Sequence, residues 1–505
     1  MILVEKENEV YVRIRTDDVS QDFNLKDYLS CYIPNHKFHP KVKAKIWDGK
    51  VSQFDLTTSR LPIGLLPYFH QFCKSYGYEY KFNFDVKELF NKIDMEAVQK
   101  FSEQILEGVT NEDGEPIVLR DYQLQSVVNS IKNKRGVILN PTASGKSLII
   151  YVLFRMLLAQ DVERKFILVV PSINLVSQIY SDFQEYGWHD VGYYCTRMCT
   201  GFTPDFSSSV LITTWQSVSK KAPRFFEPYD VLLIDETHNA KAMEINKVAR
   251  QCVNAEYRIG TTGTLPHEQS ELYTIFGYLG KVISTVSYEK LQNDGVLAKL
   301  RIVNLLLKYP KEMVDKNKMN GGRPFPEEVR TIEGYSGRNK GFDYIFRNVK
   351  DKQNVLILCE HLEHKQLILD YLEETLDEKY LIADIDGKTK TEEREQIRRK
   401  MNEAENYVLV ASYGTFTLGV NIKKIHHVVF ASSYKAKIKV LQALGRGLRT
   451  HSTKDYLVLW DMVDDLTWVK RTGRLGMNHI YKHWIERKKY YNQHKFKFVD
   501  KIINI

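Results

Sequence analysis

From about residue 118 onward, short apolar runs alternate along the chain with stretches whose apolar positions fall three or four residues apart. Val137-Ile-Leu139, Phe166-Ile-Leu-Val-Val170, Val210-Leu-Ile-Thr213 and Val231-Leu-Leu-Ile234 are the first four runs. Short apolar runs bounded by helical patterns predict strands of a parallel sheet covered by helices. The rhythm restarts with Val355-Leu-Ile-Leu358, Tyr407-Val-Leu-Val410, His427-Val-Val-Phe430 and Tyr456-Leu-Val-Leu459, which predicts a second α/β lobe. Leu148 to Phe154 is apolar on every side and reads as a helix packed beneath the first sheet.

Breaks in this pattern divide the chain. Glu107 to Pro116 is acidic and holds two glycines and a proline, closing off an N-terminal α+β unit of residues 1–106. Lobe one is expected over 118–300 and lobe two over 337–465. Between them, 301–336 is expected to be a linker or insertion, because Lys308 to Ser336 is rich in Lys, Gly and Pro and reads as an exposed loop. A basic helical segment closes the chain over 466–505.

Composition adds limits. The chain has 505 residues, more than one hydrophobic core usually supports, and no apolar run approaches the length of a membrane span. No secretory leader is evident in Met1 to Lys6, and six scattered cysteines suit a reducing compartment, so the cytoplasm is expected, a host's cytoplasm if a phage encodes the chain. Cys195 and Cys199, with His189 nearby, lack the second pair that a zinc site needs. The net charge of +9 permits nucleic-acid binding without demanding it.

Chemistry concentrates in two places of the first lobe. Asn140-Pro-Thr-Ala-Ser-Gly-Lys-Ser147 lies between an apolar strand and an apolar helix, the context of a phosphate loop. Backbone N–H groups around Thr142, Ser144 and Gly145 can cradle phosphates, Lys146 can reach the β and γ groups, and Ser147 can bind Mg2+. Asn140 stands where the pattern asks for glycine, and asparagine tolerates unusual backbone angles. Asp235-Glu236-Thr237-His238 follows a strand end, where Asp235 can hold the metal and Glu236 can orient and deprotonate water. The alternative for the acidic pair is a helix cap. ATP and Mg2+ are therefore the expected cofactors.

The second lobe offers Gln442-Ala-Leu-Gly-Arg-Gly-Leu-Arg449, whose Arg446 and Arg449 share a helix face. Such a pair can stabilise charge on a γ-phosphate. Gly414, Thr415, Gly419 and Asn421 form a polar segment at another strand end, read as a sensor joining nucleotide to polymer. Asp384-Ile-Asp-Gly-Lys388 has the look of a nuclease fragment but fits a strand-to-helix turn better.

In this order the segments resemble superfamily-two helicases over roughly residues 118–465. Arg120 and Gln123 resemble the adenine-reading motif; Pro171-Ser172 and Thr214-Trp215-Gln216 resemble strand-contacting segments; Thr262-Gly-Thr264 resembles the coupling motif. The resemblance implies two RecA-like lobes that close on ATP, with Gly419 and Asn421 near nucleotide and Thr415 and His361 near nucleic acid. Phe38 to Lys50 and Leu61-Pro-Ile-Gly-Leu65 narrow the resemblance to the recombination and branch-migration helicases of T-even bacteriophages. That implies remodelling of branched or forked DNA by branch migration, fork regression and displacement-loop unwinding, with three-prime to five-prime movement.

Lys41, Lys43 and Lys45, with Trp47, make a basic segment with aromatic faces suited to phosphate contact and stacking. The C-terminal segment, rich in Lys and Arg, is a second candidate arm. A motor subunit of a restriction or transcription-repair complex and a nucleotide-controlled nucleic-acid clamp are the competing readings. A single-strand-binding or small accessory protein is a possible partner.

Overall fold

Two seven-stranded sheets, parallel throughout, carry the architecture expected from the apolar runs. The computed structural model describes residues 1–505 apart from 112–113, 238–241, 320–323, 415–421, 433–447, 449–453, 455 and 471, with the backbone alone described at 242–246, 318–319 and 391. The chain separates into two compact units, Met1–Pro141 with Gly145–Val286, and Ser287–Ile505 with Thr142–Ser144.

In the first unit the sheet runs Val282–Thr285, Arg135–Leu139, Tyr257–Thr262, Val231–Ile234, Phe166–Val170, Val210–Thr214, Cys195–Met198. Helix Lys146–Gln160 buries Leu148 through Phe154 without interruption, then Met156, Leu157 and Leu158. A helix apolar all round must be covered all round. The sheet covers one side, as where Phe154 meets Phe166 at 4.8 Å between ring centres, and helices Met95–Ile105, Asp121–Asn133 and Ile173–Glu185 cover the others.

The N-terminal unit is a four-stranded sheet in the order Arg60–Pro62, Tyr11–Arg15, Ile2–Lys6, Tyr80–Phe82, backed by helices Val19–Tyr28 and Leu66–Tyr76. Alternation sends Ile2, Val4, Val12 and Ile14 into a core with Leu25, Phe69 and Phe72. Its expected end at 106 is too late. Val98 and Leu106 belong to the core of lobe one, so helix Met95–Ile105 serves the lobe. Against that lobe the small sheet docks tightly: a Cβ on Gly64 would strike the Phe276 carbonyl, and Arg135 pairs with Glu9 at 3.1 Å.

The second unit's sheet runs Leu381–Ile385, Tyr407–Ser412, Val355–Cys359, His427–Phe430, Tyr456–Asp465, Lys299–Lys308, Phe498–Asn504. Two expected boundaries change here. Residues 301–308, assigned above to a linker, lie in an interior strand whose Ile302, Leu305 and Leu307 are buried. The stretch read as an exposed loop contains helix Phe325–Glu333, whose Val329 and Ile332 enter the lobe's core; their i, i+3 spacing is hidden by flanking Pro and Gly. The C-terminal segment is likewise more than helical. Helix His479–Gln493 is followed by the edge strand Phe498–Asn504. Among the described residues, no helix is long and apolar enough to cross a membrane.

Candidate nucleotide and nucleic-acid site

The strand Arg135–Leu139 delivers the phosphate loop to the carboxyl end of the sheet, and helix Lys146–Gln160 leaves from it. Unusual backbone angles fall at Ala143, φ +66°, and Gly145, φ +77°, while Asn140 does not adopt one. The expected reason for Asn140 is therefore corrected. Its N–H is bonded to the Thr262 carbonyl at 3.0 Å, and its carbonyl accepts from Lys146 Nζ at 3.3 Å. Asn140 is fully buried, and its side-chain amide has no hydrogen-bond partner among the described residues.

Gln123 sits against this loop. It is fully buried, its Oε1 accepts the Arg120 backbone N–H at 2.9 Å, and a Cβ on Gly145 would collide with its amide nitrogen. Gln123, from the start of helix Asp121–Asn133, thus packs directly against the loop at Gly145, some twenty residues on. Arg120 itself is exposed and contributes a backbone contact. Ser147 Oγ lies 3.0 Å from the hydroxyl of Tyr186, a residue that no motif singles out.

Asp235 and Glu236 end the strand Val231–Ile234, within reach of the loop. Lys146 Nζ stands 3.6 Å from Glu236 Oε1. Glu236 has φ +50°, a left-handed angle that costs a non-glycine residue about 1–3 kcal/mol, the kind of strain that persists at working sites. The Thr261 hydroxyl donates to Asp235 Oδ1, and Asp235 N–H to the Val169 carbonyl at 2.9 Å. Burial, then the neighbouring Glu236 charge, pushes the Asp235 carboxyl up to about 6 against the pull of Lys146. Two carboxylates facing one lysine leave a local excess of negative charge that a divalent cation would relieve.

That chemistry fits Mg2+. Among the described residues, no cluster of three or more His, Cys, Asp or Glu could hold a metal alone. Mg2+ commonly takes one or two protein ligands and completes its shell with phosphate and water. Asp235 and Ser147 suit that role.

The candidate nucleic-acid segments of the first lobe also converge. Ser172 caps helix Ile173–Glu185, and Thr214 caps Trp215–Val218. Gln216 Nε2 reaches the Pro171 carbonyl at 3.5 Å. Pro171 and Trp215 line one small cavity together with Asp235 and Glu236, so a shift of either segment is felt beside the carboxylates. Thr262 and Thr264 are buried, with the Thr262 hydroxyl bonded to the Thr264 carbonyl at 2.8 Å.

On the N-terminal unit, Lys41, Lys43 and Lys45 are exposed as expected. Trp47 departs from the stacking role assigned to it: its indole N–H donates to the Lys50 carbonyl at 2.9 Å and its ring meets His39 edge-on. Phe38, 73% exposed, offers an aromatic face with Lys43 Nζ 5.9 Å from its ring centre, and Ile46, next to Trp47 in sequence, is 76% exposed. In the second unit His361 is exposed on Glu333, and Asp386 accepts from Lys388 N–H at 2.8 Å in the turn that leads to helix Thr391–Glu403. Thr415, Gly419, Asn421, Arg446 and Arg449 lie outside the described residues, as does His238.

Comparison with known proteins agrees with this arrangement. Residues 116–267 match the family "Type III restriction enzyme, res subunit", 339–451 the family "Helicase conserved C-terminal domain", and 2–85 the family "DNA helicase UvsW, N-terminal". The chain is 29% identical to the ATP-dependent DNA helicase uvsW of Enterobacteria phage T4, over 98% of each chain. The crystal structure of T4 UvsW covers 100% of the chain, and the chain covers 99% of it, at a TM-score of 0.51 and 26% identity. The DNA 3'-5' translocase XPB2 of Sulfurisphaera tokodaii is 26% identical over 68% of this chain and 81% of its own length.

Proposed function

We propose that this chain, a superfamily-two helicase similar from end to end to UvsW, is an ATP-driven DNA motor that remodels branched and forked duplexes. The observation that carries the reading is the N-terminal unit. Residues 2–85 match the UvsW N-terminal family, and that small sheet is docked on the ATP-binding lobe through Gly64 and the Arg135–Glu9 pair. A restriction motor or a nucleotide-controlled clamp has no evident need of it.

In this reading Gln123 and the 140–147 loop bind ATP, and Lys146 moves from Glu236 toward the γ-phosphate. Glu236, released, takes a proton from the attacking water. Bound Mg2+ supplies charge neutralisation to the phosphates. Asp235 and Ser147 hold it, with Thr261 fixing the Asp235 rotamer. Arg446 and Arg449 stabilise the γ-phosphate charge that builds in the transition state, and Gly419 and Asn421 sense nucleotide. Pro171, Ser172, Thr214, Trp215, Gln216, Thr415 and His361 track the strand, while Lys41, Lys43, Lys45 and Phe38 engage the branch. Movement runs three-prime to five-prime, and the motor works in the cytoplasm where the DNA lies, a host's if phage-encoded.

ATPase and strand-exchange assays on a four-way junction, a fork, a linear duplex and RNA test the reading. Preference for junction and fork supports it. Equal response to all four removes the branch specificity, and stimulation by RNA alone overturns the DNA assignment.

A further inference from the structure

A largely buried carboxylate of the second unit is aimed at an exposed histidine. His361 follows the strand Val355–Cys359 and precedes helix Leu362–Thr375, whose first-turn N–H groups open toward any bound anion. Both oxygens of Glu333 reach His361 Nδ1, at 2.9 and 3.1 Å. The Glu333 side chain is 13% exposed and the His361 side chain 54%.

Glu333 is itself held from behind. His364 Nδ1 lies 3.3 Å from Glu333 Oε1, and the Ser432 hydroxyl donates to the same oxygen at 3.1 Å. Arg338 faces His364 Nε2 at 3.2 Å and, since guanidinium only donates, that nitrogen accepts and Nδ1 carries the proton toward Glu333 and Ser432. Arg338 is fixed in turn by two contacts to Asp464. Burial raises the Glu333 carboxyl, but its hydrogen bonds to the His364 and His361 rings outweigh it and hold the group below its usual range. The carboxylate is therefore ionised, fixed and acceptor-only. With Nδ1 tied to it, the His361 ring turns Nε2 outward; exposed Glu360 and Glu363 flank it in sequence.

We propose that Glu333 is a positioning residue for nucleic-acid contact: through its bond to His361 it presents Nε2–H of the imidazolium to one phosphate oxygen of the DNA strand. The inference rests on the motor reading above. It also gives the segment around 325–333 a purpose, because the helix that ends in Glu333 brings the carboxylate to the carboxyl end of the sheet. The imidazolium balances its charge between a fixed carboxylate and the phosphate, a charge-assisted pair on each side.

A double-mutant cycle on the full chain tests it, reading binding of a labelled fork at pH 6, where imidazole commonly carries its proton. His361→Gln is expected to weaken binding about tenfold and to lower the slope of log K against log salt by about one. Glu333→Gln is expected to weaken binding several-fold in the parent and to have no further effect in the His361→Gln background. Nitrogen-15 ring spectra at alkaline pH, where a neutral imidazole has a tautomer to report, with His361 assigned by the loss of its signal in His361→Gln, should show Nδ1 protonated in the parent and tautomer averaging in Glu333→Gln. Additive losses, or a His361 ring spectrum indifferent to Glu333→Gln, overturn the positioning role. A parent that binds forks while His361→Gln matches it sinks this inference alone; a parent that binds no DNA sinks the motor reading with it.

Discussion

Lys146 Nζ and Glu236 Oε1 face each other at 3.6 Å, joining the phosphate loop to the second carboxylate of the strand end. The pair sets up a competition, since a γ-phosphate that draws the lysine away frees the glutamate to accept a proton. Glu236→Gln keeps the shape and removes the base, so nucleotide affinity should stay near the parent value while single-turnover hydrolysis falls about 100- to 10,000-fold. Lys146→Ala should lose both. Undiminished hydrolysis in Glu236→Gln would assign the base elsewhere.

Asp235 carries the pH prediction. Its folded-state carboxyl sits at about 6 against 3.8 for the free side chain, with burial the main cause. Between those values the folded protein binds the extra proton, so stability without nucleotide should fall as pH rises from about 4 to 6 and stay reduced above. The shift corresponds to an order of about 1–3 kcal/mol. Asp235→Asn keeps the acceptor for Thr261 and removes the charge. It should melt a few degrees higher than the parent at pH 7.5, with a flatter pH profile by calorimetry, while losing Mg2+-dependent hydrolysis. A lower melting temperature for Asp235→Asn would show that the charge is not a source of strain.

What could be read from the chain alone follows from the range of the interactions involved. Val231–Ile234 and the loop at 140–147 were legible because their signals are local: an apolar run, then a fixed spacing of Gly, Lys and Ser. The two sheets were legible for the same reason. Strand Lys299–Lys308 was not, because its edge partner, Phe498–Asn504, lies some two hundred residues away and Lys-rich neighbours mask its alternation. Trp47 read as a stacking face because sequence shows an indole beside lysines and cannot show its N–H bonded to Lys50. Thr261 and Glu333 escaped notice altogether, since a threonine in a strand and a glutamate at a helix end carry no signal until the fold sets them beside Asp235 and His361.

Gly145 and Gln123 form the next test. A side chain at Gly145 would meet the Gln123 amide and hold φ +77°, so Gly145→Ala should suffer twice, from collision and from backbone strain of about 1–2 kcal/mol. ATP affinity should fall by at least about tenfold, as read by fluorescent-nucleotide titration. Gln123→Ala relieves the collision. In the double variant, part of the lost affinity for a nucleotide of any base should return, while preference for adenine should not. Equal losses in single and double variants would show strain alone to be responsible.

Asp461 and Arg487 decide what the basic C-terminal segment is for. Arg487 is fully buried and grips Asp461 through Nε at 2.9 Å and Nη2 at 2.7 Å, and the Tyr491 hydroxyl adds a third bond at 2.9 Å. Arg487→Met leaves a buried carboxylate without its cation and should cost about 3–5 kcal/mol in chemical denaturation of the full chain. Adding Asp461→Leu removes the stranded charge and should recover most of that loss. Fork affinity gives the second readout, because Arg487 itself cannot touch DNA from inside the fold. If the helix His479–Gln493 is a clamp for the sheet, stability falls first and DNA binding follows it, and both return in the double variant. If the helix acts as a free arm, its exposed Lys482 and Lys489 set affinity, and charge reversal there should weaken fork binding at unchanged stability.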